Sequence, residues 1–416
     1  MSAVSQLRGL TGPQWRAFAA AYLGWMLDAF DYFLLVLLAR YIATDFGTGL
    51  KQISYAIGLT LAMRPVGALV FGLIADRFGR KPALMGSILL YAGAEFLTGF
   101  APSLGALFVM RAVFGIGMGG EWGVGASLAM ESVPAASRGL LSGVLQQGYP
   151  AGYLLAALVA GHVFPHVGWR ATFMLGSLPA ALVLYVRKGV RESPAWLEER
   201  ASRNGGDAGG IGAVWATVRA RWPLFLYMVL LMTAFNSFSH GTQDLYPSGF
   251  LGKQRGLAIA TISNITIVGC LGAISGGIMF GALSQRFGRR RTIAAAALLS
   301  LPMIPLWVGP TSVAGLAAGA FLMQFAVQGA WGVVPAHLNE LSPGAVRGTF
   351  PGLAYQLGNL CASSIVPLQA TLAESGGWSF ASALGWFVGV VGVVLAIVAL
   401  LGPEASRDAG LAPGAA

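Results

Sequence analysis

The sequence predicts an all-α membrane protein: twelve transmembrane helices arranged as two six-helix halves. Three observations predict it. Of 416 residues, 56 % are hydrophobic and only 10 % charged, with a mean hydropathy of +0.69, whereas a soluble domain carries about 25 % charge. The apolar residues fall into long runs separated by turn signals, and at roughly 20 residues per span the chain accommodates about twelve. The two halves also repeat at a fixed offset of 209 residues. This composition excludes an ordinary cytosolic enzyme, a disordered chain and a disulfide scaffold. Cys270 and Cys361 both lie in apolar runs, and two cysteines supply neither a disulfide framework nor a cysteine-rich metal site.

Reading apolar runs between turns places the first six segments near 17–42, 52–75, 83–101, 104–130, 140–163 and 169–187. The second six fall near 222–246, 256–283, 292–309, 312–337, 348–371 and 378–402. Residues 188–221 form the only long hydrophilic stretch. The predicted organisation is therefore an N-terminal half, 1–187, a cytoplasmic linker, 188–221, and a C-terminal half, 222–416. The offset is carried by separated matches: GLIADRFGRK at 72–81 with GALSQRFGRR at 281–290, and ESVPAASRGLLSG at 131–143 with ELSPGAVRGTFPG at 340–352. Trp122 and Trp331, and Gln147 and Gln356, keep the same register. Such a parallel duplication of six helices characterises one large class of secondary transporters.

The net charge of +10 reads as positive-inside bias, not as a nucleic-acid surface. Basic residues follow the even-numbered segments: Arg77, Arg80 and Lys81; Arg138; Arg187, Lys188 and Arg191; Arg286 and Arg289 to Arg291; Arg347. The opposite loops hold few, among them Lys51, Arg170, Lys253 and Arg255. Both termini are thus expected in the cytoplasm and the chain in the plasma or inner membrane. The first segment is too long for a signal-peptide core and shows no small-residue cleavage site, so it is retained.

Ionisable groups within the bilayer are costly and mark function by default. They are Asp28 and Asp31 in segment 1, Arg64 in segment 2, Glu95 in segment 3, Arg111 and Glu121 in segment 4, and His240 and Asp244 in segment 7. Asp28 and Asp31 stand three apart and share a helical face. Two close carboxylates resist ionising together, which suits one of them to proton exchange. Arg111 lies at a depth similar to Asp31, which makes an ion pair between them possible, with a purely structural pair for Arg111 as the alternative. Glu95, on a peripheral helix, reads as structural. Gly115, Gly117 and Gly120 formally satisfy G-x-G-x-x-G, but no strand precedes them; close helix packing explains them better than a dinucleotide site.

The sharpest signal is NSFSHGTQD at 236–244. Asn236, His240 and Asp244 recur every four residues and line one stripe, with Gln243 beside them. An apolar span has no packing reason to hold these groups. The offset sets His240 opposite Asp31. A lone intramembrane histidine is often a hydrogen-bonded core residue, and His162, His166 and His337 at helix ends are read that way.

The 72–81 loop resembles the G-x-L-a-D-r-x-G-r-k-type loop of the major facilitator superfamily, in which Gly72, Asp76, Arg77, Gly79 and Arg80 would form a conformational gate. Gln285 replaces the acid in the second copy. The R-x-x-x-G-x-G run from Arg111 is similar to a fourth-helix motif of proton-driven members. The 236–244 stripe resembles the N-x-x-[ST]-H-x-[ST]-Q-D-x-x-x-T signature of lactate and pyruvate permeases in the sialate:proton symporter family, with Ser248 in place of the last threonine. Gln356 and Asn359 match the polar pair those permeases use near the substrate, and Arg64 their second-helix arginine. DAFDYF at 28–33 is shared more widely, including with sialate and aromatic-acid symporters.

The resemblance implies a proton-coupled symporter of a small monocarboxylate working by alternating access. Arg64, Arg111, Asn236, His240, Gln356 and Asn359 would bind the carboxylate, and Asp28, Asp31, Glu121, His240 and Asp244 would carry or couple the proton. Its partners would be the carboxylate, the proton and the bilayer, in a functional monomer without cofactor or metal. No Walker loop or metal cluster supports a pump or an enzyme. A symporter of a larger organic acid, a multidrug:proton antiporter and a non-transporting sensor are the alternatives.

Overall fold

The computed structural model describes residues 10–133, 141, 144–177, 180–193, 196–197, 211–342 and 350–404. Arg138 and Arg347 lie outside the described residues, as do the side chains of Asp76 and Gln285.

The chain is helical, as its patterning predicts. The helices are α1 (Gly12–Asp45), α2 (Leu50–Phe78), α3 (Arg80–Thr98), α4 (Leu104–Ser132), α5 (Gly148–His162), α6a (Phe164–Gly176) and α6b (Ala180–Gly189). After a linker helix, Ile211–Ala220, come α7a (Trp222–Gln243), α7b (Tyr246–Gln254), α8 (Ile259–Phe287), α9 (Arg289–Val308), α10a (Val313–Trp331), α10b (Val334–Leu341), α11a (Phe350–Ala362), α11b (Ile365–Glu374) and α12 (Phe380–Leu401). Among the described residues, nine helices are long and apolar enough to cross a membrane. The third predicted span falls short of that because Arg80, Lys81 and Glu95 interrupt it.

Several predicted helices are broken, and prolines account for the breaks. Pro335 and Pro367 lack the N–H that would bond Trp331 and Ser363 one turn earlier, and helices 10 and 11 divide there. The seventh span does not end near 246 as predicted. It changes at Asp244 from α- to π-helical hydrogen bonding, which runs from Tyr246 to Gln254 around Pro247; such π segments are frequent at functional sites. Gly168, at φ 77°, marks the true start of the sixth span.

The repeat is visible in the packing. Gly67 presses its Cα face on the Ile116 carbonyl, and 209 residues later Gly276 does so on that of Phe325; a Cβ at either would collide with backbone. Gly79 and Gly288 both turn with positive φ, 110° and 89°. Beside each turn an acid caps the next helix. Glu192 accepts from the Arg80 N–H at 3.0 Å, and Glu404 from the Arg289 N–H at 2.7 Å. Arg80 pairs with Glu131 at 3.5 Å, and Arg289 with Glu340 at 2.8 Å. The 72–81 loop is thus held by Glu131 and Glu192, which were not predicted; Gly72 and Arg77 make no comparable link among the described residues, Arg77 lying over the Phe78 ring.

Helices 1–6 and 7–12 each pack chiefly among themselves. The two sets meet where α5 lies on α8, α2 on both parts of helix 11, and α1 on α7b. These seams enclose the polar residues.

Candidate functional site

The site begins with Arg64. Its side chain is fully buried, and none of Nε, Nη1 or Nη2 has a hydrogen-bond partner among the described residues. The guanidinium sits between two rings, 5.8 Å from that of Trp25 on α1 and 5.6 Å from that of Tyr355 on α11a. The two rings come from different halves. Buried guanidinium groups are normally paired with an anion, so this geometry is poised for one. The Gln356 amide donates weakly to the Gly119 carbonyl at 3.5 Å, and Gly119 packs against the Arg64 backbone. Asn359 donates to Gln356 at 3.0 Å. The predicted Arg64, Gln356 and Asn359 are therefore together.

His240 and Asp244 form the second part. Their Nδ1–Oδ2 distance is 3.0 Å, as one helical turn allows. Tyr32 of α1 joins them: its hydroxyl donates to Asp244 Oδ2 at 2.6 Å and stands 3.2 Å from His240 Nδ1. Asn236, the third residue of the stripe, is buried and donates back to the Met232 carbonyl at 2.8 Å. Gln243 donates to Gln324 of α10a at 2.8 Å.

Not every predicted residue joins this site. Asp28 and Asp31, about 60° apart around the helix, lie within each other's field, but each also meets different groups. Asp28 falls within the fields of Arg64 and Glu121, and the Glu121 carboxylate lies against Gly24. Asp31 turns toward Gly176, Glu95 and Arg111. Arg111 donates to Glu95 at 2.5 Å and to the Thr98 hydroxyl at 2.6 Å, stacked near Phe114 and Phe173. The Arg111–Asp31 bond that their depth allows is not formed. Glu95, read as structural, is the actual partner, and Arg111 is spent inside the first six helices. His240 likewise faces Tyr32 and not Asp31.

Sequence reasoning missed the aromatic residues. Trp25, Tyr32, Tyr149, Tyr153 and Tyr355 surround the site, yet aromatic side chains in an apolar span are indistinguishable by type from packing residues. Tyr32, inside DAFDYF, had the one available signal. A narrow cavity of about 20 Å³ runs beside Tyr149, Tyr153, Gln243 and Gln324. That is room for about one water and too little for an organic acid.

This is a polytopic helical bundle with a shared, charged, closable centre, the build of a membrane transporter. The chain matches the Major Facilitator Superfamily over residues 18–243 and 245–415 and belongs to it; it is a multi-pass membrane transporter and not an enzyme. It is 30 % identical over 391 residues to the carboxylic acid transporter protein homolog of Saccharomyces cerevisiae, covering 89 % of this chain but 63 % of that longer protein. It is 29 % identical over 352 residues to the sialic acid transporter NanX of Escherichia coli, covering 83 % and 84 % of the two chains, which bears out the likeness to sialate:proton symporters. The partially occluded inward open xylose transporter XylE of Escherichia coli shares the fold, with a TM-score of 0.76 at 18 % identity over 95 % of this chain and 99 % of that one.

Proposed function

We propose that the protein is a proton-coupled symporter of a small monocarboxylate of the lactate or pyruvate type. The observation that carries this reading is the buried Arg64 guanidinium, without a hydrogen-bond partner among the described residues and held between rings from both halves. A carboxylate bound there satisfies the fork bidentately, with Gln356 and Asn359 at hand as amide donors. His240 and Asp244, one turn apart at the seam, offer a site for the accompanying proton. One proton per monocarboxylate makes the cycle electroneutral. The relatives named for carboxylic, sialic and muconic acids support an organic acid as the substrate class.

On this reading residues 1–187 and 222–416 rock about the central site as a functional monomer, joined by 188–221. The basic loops support a cytoplasmic location for both ends of the chain. Uptake of labelled lactate into proteoliposomes tests the proposal. An inward-acid gradient should accelerate uptake, and clamping the membrane potential at zero should leave it nearly unchanged. Uptake driven by sodium and indifferent to pH sinks it. Competition by unlabelled sialic acid and niacin decides whether a larger acid is the true substrate.

A further inference from the structure

We infer that Tyr32 is the latch through which the protonation state of the seventh span is passed to the other half of the protein. The inference rests on the symport reading above and adds a residue and a step to it.

Three heavy atoms form a closed triangle: Tyr32 Oη to Asp244 Oδ2 at 2.6 Å, Tyr32 Oη to His240 Nδ1 at 3.2 Å, and Nδ1 to Oδ2 at 3.0 Å. All three residues are buried. The shortest side is the bond from Tyr32 to Asp244, and both sides that meet at the tyrosine cross between α1 and the seventh span. The arrangement suits one carboxylate oxygen accepting two donors, the Tyr32 hydroxyl and the imidazole Nδ1–H. Asp244 Oδ1 has no partner among the described residues, so the ionised state leans on Oδ2. Among the described residues the titratable and charged groups facing Asp244 come from three elements besides its own. Beside its own His240 they are Tyr32 from α1, Tyr149 and Tyr153 from α5, and Arg64 from α2, whose field reaches Tyr32 and Tyr149.

A proton arriving on Asp244 turns a charge-assisted bond into a neutral one, and charge-assisted bonds are about twice as strong. The added proton can sit on Oδ1, which has no partner among the described residues, so Oδ2 keeps its two donors only as neutral bonds and the Tyr32 link weakens. What that releases is a seam. Outward from Tyr32, the same two helices are joined again where Arg40 Nη1 donates to the Gly252 carbonyl at 2.5 Å. Eight residues of helix separate these links, about 12 Å. Next to it, Glu374 of α11b accepts from the Leu50 and Lys51 N–H groups at the start of α2, at 3.2 and 2.9 Å. Tyr32 is the innermost fastening and the one that senses the proton site. Loading the proton thus loosens the face of the protein away from its chain ends, the face that admits proton and substrate together.

The test follows accessibility and needs no substrate. In a protein with Cys270→Ala and Cys361→Ser, Ser248→Cys places a reporter four residues beyond Asp244, where the native side chain is buried. A membrane-impermeant maleimide is added to whole cells. With each rate divided by that of a freely exposed control cysteine at the same pH, because the thiolate is the reacting form, the reporter protein should label about tenfold faster at pH 5.5 than at pH 7.5, the ratio that corresponds to about 1.4 kcal/mol. Adding Tyr32→Phe, or independently Asp244→Asn, should give fast labelling at both pH values. A flat rate in the reporter protein overturns the latch, as does a Tyr32→Phe protein that keeps the full pH response. If labelling behaves as expected but no carboxylate is taken up, the symport reading fails and the latch stands. Proton-driven uptake with unchanged labelling in both variants removes the latch alone.

Discussion

Replacing Arg64 is the most informative single perturbation. Its guanidinium makes no hydrogen bond among the described residues, so its removal costs the closed protein no hydrogen bond, only the ring contacts with Trp25 and Tyr355 and its field on Asp28 and Glu121. The loss is expected in binding. Lysine keeps the charge but replaces a bidentate fork with a point donor. That forfeits about one charge-assisted hydrogen bond, roughly 1.5–3 kcal/mol, so Arg64→Lys should raise the half-saturating lactate concentration roughly 10- to 150-fold. Arg64→Ala leaves the carboxylate without its cation in a dry site, a loss of about 3–5 kcal/mol, which corresponds to no measurable binding. Gradient-free counterflow reports the half-saturating concentration, with each variant normalised to the folded fraction from size exclusion. Parental affinity in Arg64→Lys refutes the assignment and moves the anion to His240 or Arg111.

The remaining predictions concern coupling and the fastenings. His240→Ala should lose proton-driven accumulation, and Asp244→Asn should be strongly impaired at normal expression, since the pair stands where α1 meets the seventh span; His240→Ala accumulating lactate like the parent would transfer the proton to Asp28 or Glu121. Asn236→Ala should raise the half-saturating concentration while keeping coupling, because an amide binds but carries no proton, and lost coupling in that variant contradicts the division of roles. Arg111→Ala breaks a fully buried pair with Glu95 and should lower the unfolding temperature markedly, with affinity intact in the fraction that folds; a stable variant with lost affinity would return Arg111 to the binding site. At the far end, burial raises the Glu374 carboxyl, but hydrogen bonds from Lys253 and the Lys51 and Leu50 N–H groups outweigh it and hold the group below its ordinary 4.5. Its contribution is therefore present above that value and fades as pH falls through the lower native one. The stability difference between parent and Glu374→Gln should stay constant from pH 8 to 5 and shrink only in stronger acid, and a difference that fades near neutrality would show that another group controls this fastening.

Much of this protein was legible before any coordinates. Lipid offers backbone groups no hydrogen bonds, so a chain of long apolar runs must be helical, and a repeat of 209 residues must fold twice alike. The turns at Gly79 and Gly288 and the paired Gly67 and Gly276 contacts follow from it. The polar stripe of Asn236, His240 and Asp244 was equally readable, because helical period alone aligns residues four apart. Composition and periodicity speak only along one helix, however. Which of two buried arginines stays unpaired depended on whether Glu95 of α3 reached Arg111, a contact between helices that spacing does not encode. Asp28 and Asp31 share a face, as their separation implies, but only the fold shows that Arg64 and Glu121 neighbour the first and Glu95 and Arg111 the second. Tyr32 was hidden for the same reason: an aromatic ring in an apolar span is ordinary until the fold brings its hydroxyl to a carboxylate on another helix. Sequence determined the helices, the repeat and the polar face of one span. Only the packing of helices from opposite halves decided which charges are paired, which is left free, and which bonds must break for the protein to open.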